Sequence, residues 1–244
     1  MKRIVAIHQA RMTSKRLPGK VLMELDGRPL IDYSLERLKR AQSLDKIVVA
    51  TTVNAADDSI VDYCKMRGFF FYRGDEKDVL SRYYEAAKLF NAEVVIRTTS
   101  DCPLLDPSLI ERVIKEYFDE KVDYASNMLN ETFPLGLSVE AFSIEALEKA
   151  YNGASKDFER EHVTLYINRN PDEFSLHSVE QKENLSYLRW TVDTPEDFLF
   201  IQKVISKLRN KDRPYEMETI LEILNENPEF IEINRKIKQK GIMD

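Results

Sequence analysis

Residues 4–20 read IVAIHQARMTSKRLPGK: an apolar β-branched run, Ile4 to Ile7, followed by a loop carrying Arg11, Lys15, Arg16 and Lys20 with no acidic residue. A helical pattern begins near Pro29. In an α/β sheet, the loop at the carboxyl end of the first strand is where ligands collect. Four cations on one short loop repel each other and gain nothing from burial. Their clustering there points to an anionic ligand, and a triphosphate fits best. Arginine forks and lysine point charges clamp phosphoryl oxygens, backbone N–H groups fill in, and Gly19 lets the backbone come close. The competing reading is a solvated basic loop.

Outward from this stretch, strands and helices alternate. The apolar pattern predicts strands at Arg3–Ile7, Lys46–Ala50, Phe69–Tyr72 and Glu93–Ile96. It predicts helices at Leu30–Arg40, Asp57–Met66, Asp78–Phe90 and Asp106–Tyr117, with Gly68 as a C′ residue and Pro107 in a first turn. Such alternation with short connections predicts an α/β fold, a Rossmann-like, doubly wound and mostly parallel sheet. The second half is less regular. Strands are expected at Tyr124–Ser126, Leu137–Phe142, Phe174–Val179 and Tyr187–Val192, and helices at Ile144–Tyr151, Phe158–Ile167 and Pro195–Leu208. Thr194 is an N-cap candidate for the last of these, with Pro195 at N1. Residues 1–210 then form the α/β domain and residues 211–244 a helical C-terminal appendage, helical to about Leu224 and polar and mobile at its end.

At 244 residues, with 43% hydrophobic and 32% charged residues, the chain has the composition of a soluble globular protein. A net charge of -6 argues against a general nucleic-acid or membrane-surface binder, so the basic loop is a local feature that favours a small anion. Two cysteines, Cys64 and Cys102, give neither a disulfide framework nor metal-site spacing, and a cytoplasmic setting is expected. No signal peptide and no membrane-spanning stretch is expected.

QARMTSKRLPGK followed by LDGRPLIDYSLER resembles the amino-terminal signature of the cytidylyltransferases that activate acidic sugars, the 3-deoxy-manno-octulosonate and acylneuraminate enzymes. The likeness is greatest to their relatives named spore coat polysaccharide biosynthesis protein F. It returns at TTSDCPLLDP and TVDTPEDF, so three separated motifs in order span most of the chain. The resemblance implies the sheet of the nucleotide-diphospho-sugar transferases. It also implies transfer of CMP from CTP to a sugar or sugar acid, with release of pyrophosphate. Ala10, Arg11, Ser14, Arg16 and Lys20 would hold the CTP phosphates, with Arg11 and Lys20 stabilising charge in the transfer. Ser100 stands where the family usually has glycine.

A triphosphate needs magnesium, which takes oxygen ligands, commonly one or two carboxylates with phosphates and water. Asp101 and Asp193 are the candidates, each after a predicted strand. For Asp193 the residues alone are equally consistent with helix capping; the resemblance assigns both aspartates to magnesium. Arg73 matches a position near the cytosine, and is equally readable as an ion pair with Asp75 or Glu76. Thr98 and Thr99 could contact base or sugar, or be ordinary loop hydroxyls. A carboxylated or phosphorylated acceptor would lie against the second half, where Gly136, Glu140, Arg160, His162 and Arg189 are candidates. Arg189 could instead be only the ion-pair partner of Asp193. His8 is expected to pack, and Cys102 has no neighbouring His to activate it. The apolar residues of Phe133–Phe142 are candidates for a two-fold interface of a homodimer, or else for the core. A sugar-nucleotide glycosyltransferase of related fold would usually show D-x-D, which is absent. A non-catalytic nucleotide-binding regulator is the other alternative.

Overall fold

The run at residues 4–7 becomes β1 (Ile4–Gln9) because it lies near the middle of a sheet, where both faces are covered and a strand can be apolar throughout. A computed structural model describes residues 2–209 and 216–239. In chain order, a small antiparallel pair β2 (Glu24–Leu25) and β3 (Arg28–Pro29) precedes α1 (Leu30–Leu38). Next come β4 (Lys46–Thr52), α2 (Asp58–Arg67), β5 (Phe70–Gly74), α3 (Val79–Leu89), β6 (Val94–Thr99) and α4 (Pro107–Glu120). The second half holds β7 (Tyr124–Ser126), β8 (Glu140–Ser143), α5 (Ile144–Gly153), α6 (Asp157–Glu161), α7 (Leu165–Arg169) and β9 (Leu176–Ser178). Three helices close the described chain: α8 (Pro195–Arg209), α9 (Met217–Glu226) and α10 (Glu229–Glu232).

The sheet order is β5-β4-β1-β6-β8-β7-β9. β1 pairs in parallel with β4 and β6, and β4 with β5. β8 runs antiparallel to β6 and β7, and β9 parallel to β7. Alternation along β1 sends Val5 and Ile7 to one face and Ile4 and Ala6 to the other. One face carries α1, α2, α4, α8 and α9, the other α3, α5 and α7. On α1, Leu30, Ile31, Leu35 and Leu38 are fully buried, each burial stabilising by about 1.5–3 kcal/mol. Caps fix where helices start: Asp78 accepts from Ser81 N, and Asp106 accepts from Ser108 N ahead of α4.

Three expectations for the second half are corrected. Tyr187–Val192 is not a strand; it makes one isolated parallel bridge, Leu135 to Arg189. Phe158–Ile167 is not one helix. It breaks between α6 and α7, where the buried Thr164 turns its hydroxyl to Glu140 Oε1 at 2.6 Å. In Leu137–Phe142 the strand starts only at Glu140. The proposed interface segment is internal: Phe133, Leu137, Val139 and Phe142 are buried within the chain's own core, so the homodimer loses the patch on which it was argued.

The appendage is not loosely attached. Ile220, Ile223, Leu224 and Phe230 join the same apolar cluster as Phe200 and Val204 of α8, and Met217 N donates to Asp106 Oδ2 at 2.8 Å. The boundary at 210/211 and the last residues, 240–244, lie outside the described residues. Among the described residues no helix is long and apolar enough to cross a membrane.

Candidate active site

The loop after β1 is held in shape by backbone bonds at both ends. Ala10 N donates to Ala50 O (3.1 Å), Met12 N to Asp57 Oδ1 (2.7 Å) and Gly19 N to Met12 O (2.9 Å). Gly19 has φ 73, a left-handed conformation that costs little only without a side chain. The turn it makes aims Lys20 inward. Lys20 Nζ donates to Asp101 Oδ2 (3.0 Å), Asp193 Oδ1 (2.9 Å) and Val192 O (2.6 Å). An ammonium has three protons, and here each has an acceptor. Burial alone would lower the Lys20 pKa, but the two carboxylates overcome it and raise it. Burial likewise opposes charge on Asp101, yet Lys20 and the Thr99 hydroxyl (2.6 Å to Oδ1) hold its pKa at about 2.

Asp193 is the hub. Its Oδ2 meets Arg16 at 2.8 Å and Arg189 at 3.0 Å. Arg189 in turn forks onto Asp197 at 2.8 and 2.9 Å and donates to Gln239 Oε1 at 2.7 Å. Three cations, Arg16, Lys20 and Arg189, thus interleave with three carboxylates, Asp101, Asp193 and Asp197. Asp193 is not the helix cap. Thr194 Oγ1 accepts from Asp197 N (3.3 Å) while Asp197 Oδ2 accepts from Thr194 N (3.1 Å), a reciprocal cap for α8. Nor does Asp193 reach Asp101 along a neighbouring strand. The irregular segment is stitched to it by Val192 N donating to Asp101 O at 2.8 Å.

Among the described residues no group of three or more Asp, Glu, His or Cys could hold a metal ion. Two carboxylates are, however, as many as magnesium takes from a protein when phosphates complete its shell. Asp101 and Asp193 already converge on one cation, the ammonium of Lys20. The donor chemistry therefore fits, on the condition that Lys20 gives up that place.

The remaining candidates divide. Arg11 lies partly exposed, its charge felt by Glu76, which also accepts from Thr13 at 2.5 Å. Ser14 Oγ accepts from Leu17 N at 3.4 Å and so shapes the loop. Arg73 is committed elsewhere, to Thr52 O (2.8 Å), Asn54 O (2.9 Å) and Asp58 (2.7 Å) rather than to Asp75 or Glu76. Thr98 faces away from Thr99, with its hydroxyl on His8 Nδ1 at 2.8 Å. His8 also meets Ser34 at 2.9 Å, and burial takes its pKa down to about 4, so it is a neutral structural group. Burial and the charge of Asp101 push Cys102 up to about 12, which removes it as a nucleophile. Ser100 is buried, its N–H donating to Gln9 O at 2.9 Å.

Of the acceptor candidates, Arg189 belongs to the Asp193 hub. Arg160 is forked onto Asp78 at 3.0 and 2.6 Å, where it braces the start of α3. His162 follows α6 as its C-cap, its backbone N–H donating to Phe158 O at 3.0 Å. Glu140 is buried, its oxygens taken by Arg97, Tyr124 OH (2.6 Å) and Thr164 Oγ1 (2.6 Å). Gly136 has φ 111 and lies where a Cβ would come within 2.5 Å of the Trp190 and Thr191 backbone. Asp57, Arg97, Asp197 and Asn234 were not read from the sequence as site residues. Only Asp197 carries a local signal, the Thr-x-x-Asp spacing of a cap; Asp57 meets Met12 45 positions away, Arg97 meets Glu140 43 positions away, and Asn234 meets Asp197 37 positions away.

The protein family described as Cytidylyltransferase matches residues 5–241. An uncharacterised protein of Methanocaldococcus jannaschii is 40% identical, over 98% of this chain and 97% of its own length. Spore coat polysaccharide biosynthesis protein SpsF of Bacillus subtilis is 34% identical, over 94% of this chain and 97% of that protein. The structure of a cytidylyltransferase from Leptospira borgpetersenii superposes with a TM-score of 0.90 at 29% identity, covering 99% of this chain and 100% of that one. With a family match over nearly the whole chain and full-length relatives of the same kind, the chain belongs to the cytidylyltransferases, CTP-dependent nucleotidyltransferases.

Proposed function

We propose that this cytidylyltransferase transfers CMP from CTP to a small acidic or phosphorylated sugar-like acceptor, with release of pyrophosphate, in glycoconjugate or polysaccharide biosynthesis. The observation that carries the site is Lys20, buried on Asp101 and Asp193 at the end of the basic loop. In the bound state Arg11, Arg16 and Lys20 take the triphosphate, and backbone N–H groups of the loop add to them. The acceptor oxygen attacks the α-phosphorus in line and pyrophosphate leaves. Positioning and charge neutralisation do most of the work, as in other phosphoryl transfers. Asp101 and Asp193 would hold Mg2+, which would neutralise phosphate charge. Lys20 then moves from the carboxylates to the phosphates, exchanging one set of oxygens for another. Arg189, fixed by Asp197, keeps Asp193 oriented. Pyrophosphate release from CTP and magnesium with a panel of acidic and phosphorylated sugars tests the reading. CTP-dependent release with one of them is the expected result; release from none, with CTP unbound in calorimetry, would refute it.

A further inference from the structure

We propose that Arg97 binds an anionic group of the acceptor, one carried about a sugar ring's length from the reacting oxygen. The inference rests on the transfer reading above and names the acceptor class for that site. Arg97 lies on β6, in register with Ile7 of β1 and Glu140 of β8, near the middle of the sheet. A charge at the centre of a sheet is costly unless it is paired or used. Its strand neighbours Val95 and Ile96 are fully buried, yet the Arg97 side chain is 21% exposed. On the α3 side the Arg97 guanidinium lies over the ring of Tyr83, 5.8 Å from its centroid, and part of it still reaches the surface.

Glu140 pairs with Arg97 through Oε2, and its Oε1 accepts from the hydroxyls of Tyr124 and Thr164. Its effect is to fix the guanidinium, while its two hydroxyl donors draw its charge away from Arg97. Nε of Arg97 is buried and has no hydrogen-bond partner among the described residues. The part of the guanidinium that reaches the surface, not this buried nitrogen, is what an incoming anion can meet.

Alternation along β6 puts Arg97 and Thr99 on one face and turns Thr98 to the other, where it meets His8. Thr99 holds Asp101, so one face runs from Arg97 to the phosphate hub. Two residues of strand span roughly 7 Å, about the width of a pyranose ring. An acceptor with its attacking oxygen at the hub would place at Arg97 a group from the far side of its ring. A sugar phosphate or a uronic acid meets that requirement. A 2-keto sugar acid, with its carboxylate on the reacting carbon, does not.

The test uses protein saturated with a non-hydrolysable CTP analogue and magnesium, so that the basic loop is filled. Saturation-transfer NMR then measures D-glucuronate, D-mannose 6-phosphate and D-mannose. At least one anionic probe is expected to bind tenfold or more tightly than D-mannose. Arg97→Gln should abolish that preference and Arg97→Lys should keep part of it. The affinity for the CTP analogue, measured by calorimetry, should stay within twofold. Because Arg97→Gln strands the Glu140 charge, the neutral pair Arg97→Gln/Glu140→Gln is measured too and should show the same loss. No anionic preference in the wild type, or a preference that survives in the double variant, would overturn the inference. Failure to bind the analogue at all would instead refute the proposed function.

Discussion

The ammonium of Lys20 and the carboxylate of Asp193, 173 positions apart in the chain, meet at 2.9 Å. With Asp101 on its other side, Lys20 is the electrostatic keystone of the hub, standing where the resemblance expects a metal. Under the proposed function, catalysis requires this charge balance to be rearranged.

Lys20→Met should therefore lower CTP turnover roughly 100- to 1,000-fold, the scale of losing one charged stabilising group. It should also change acid stability. Burial works against the ionised Asp101, but Lys20 outweighs it and the folded pKa sits at about 2 against 3.8. A depressed carboxyl contributes stability that is present above pH 3.8 and lost as the pH falls through about 2. That contribution is about 2 kcal/mol. Urea unfolding from about pH 5 down to about pH 2 should show the gap between wild type and Lys20→Met closing as Asp101 protonates. A gap independent of pH would disconnect Lys20 from Asp101.

Asp193→Asn should leave the start of α8 intact, because Thr194 and Asp197 make the cap. It should still cost turnover at least 100-fold and lower the melting temperature, since Lys20, Arg16 and Arg189 lose a shared counter-charge. Thr194→Ala is the converse, costing about 1 kcal/mol through the lost cap with turnover largely kept. Calorimetric melting and pyrophosphate release on both variants check the pair. Near-normal turnover in Asp193→Asn would remove Asp193 from the chemistry.

Arg73 ties the end of β5 to Thr52, Asn54 and Asp58. Arg73→Ala should lower the melting temperature by several degrees, on the scale of about 1–2 kcal/mol. The preference for CTP over ATP and GTP should stay nearly unchanged. Titration of the nucleoside triphosphates by calorimetry decides this. A tenfold loss specific to CTP, at unchanged melting temperature, would return Arg73 to the base.

Gly136→Ala should be among the most damaging single changes. The position needs φ 111, and a Cβ there would press to 2.5 Å on Trp190 C and Thr191 N. The chain at 189–193 would be pushed away from Leu135, carrying Arg189 and Asp193 with it. A loss of about 2 kcal/mol or more and at least tenfold in turnover is expected. Wild-type melting and turnover would show that this crossing tolerates movement.

The sequence alone determined the α/β alternation of the first half and the basic loop that ends β1. Both are local: a buried central strand must be apolar along its length, and a helix needs one apolar face and a start signal such as Asp106-Pro107 or Thr194-Pro195. The motif likeness carried the family and the pairing of Asp101 with Asp193. Only the tertiary structure decided what those carboxylates hold in the free protein, because Lys20 reaches them by a turn at Gly19 and a stitch from Val192 to Asp101 that no periodicity encodes. The same holds for 187–192, whose alternating polarity imitates a strand while its backbone pairs with single residues rather than a ladder. It holds for Glu140 and Arg160 as well, acidic and basic side chains that look available along the chain. Folding brings each a partner, Arg97 in one case and Asp78 in the other, 43 and 82 positions away, so each ties together segments that lie far apart in the chain.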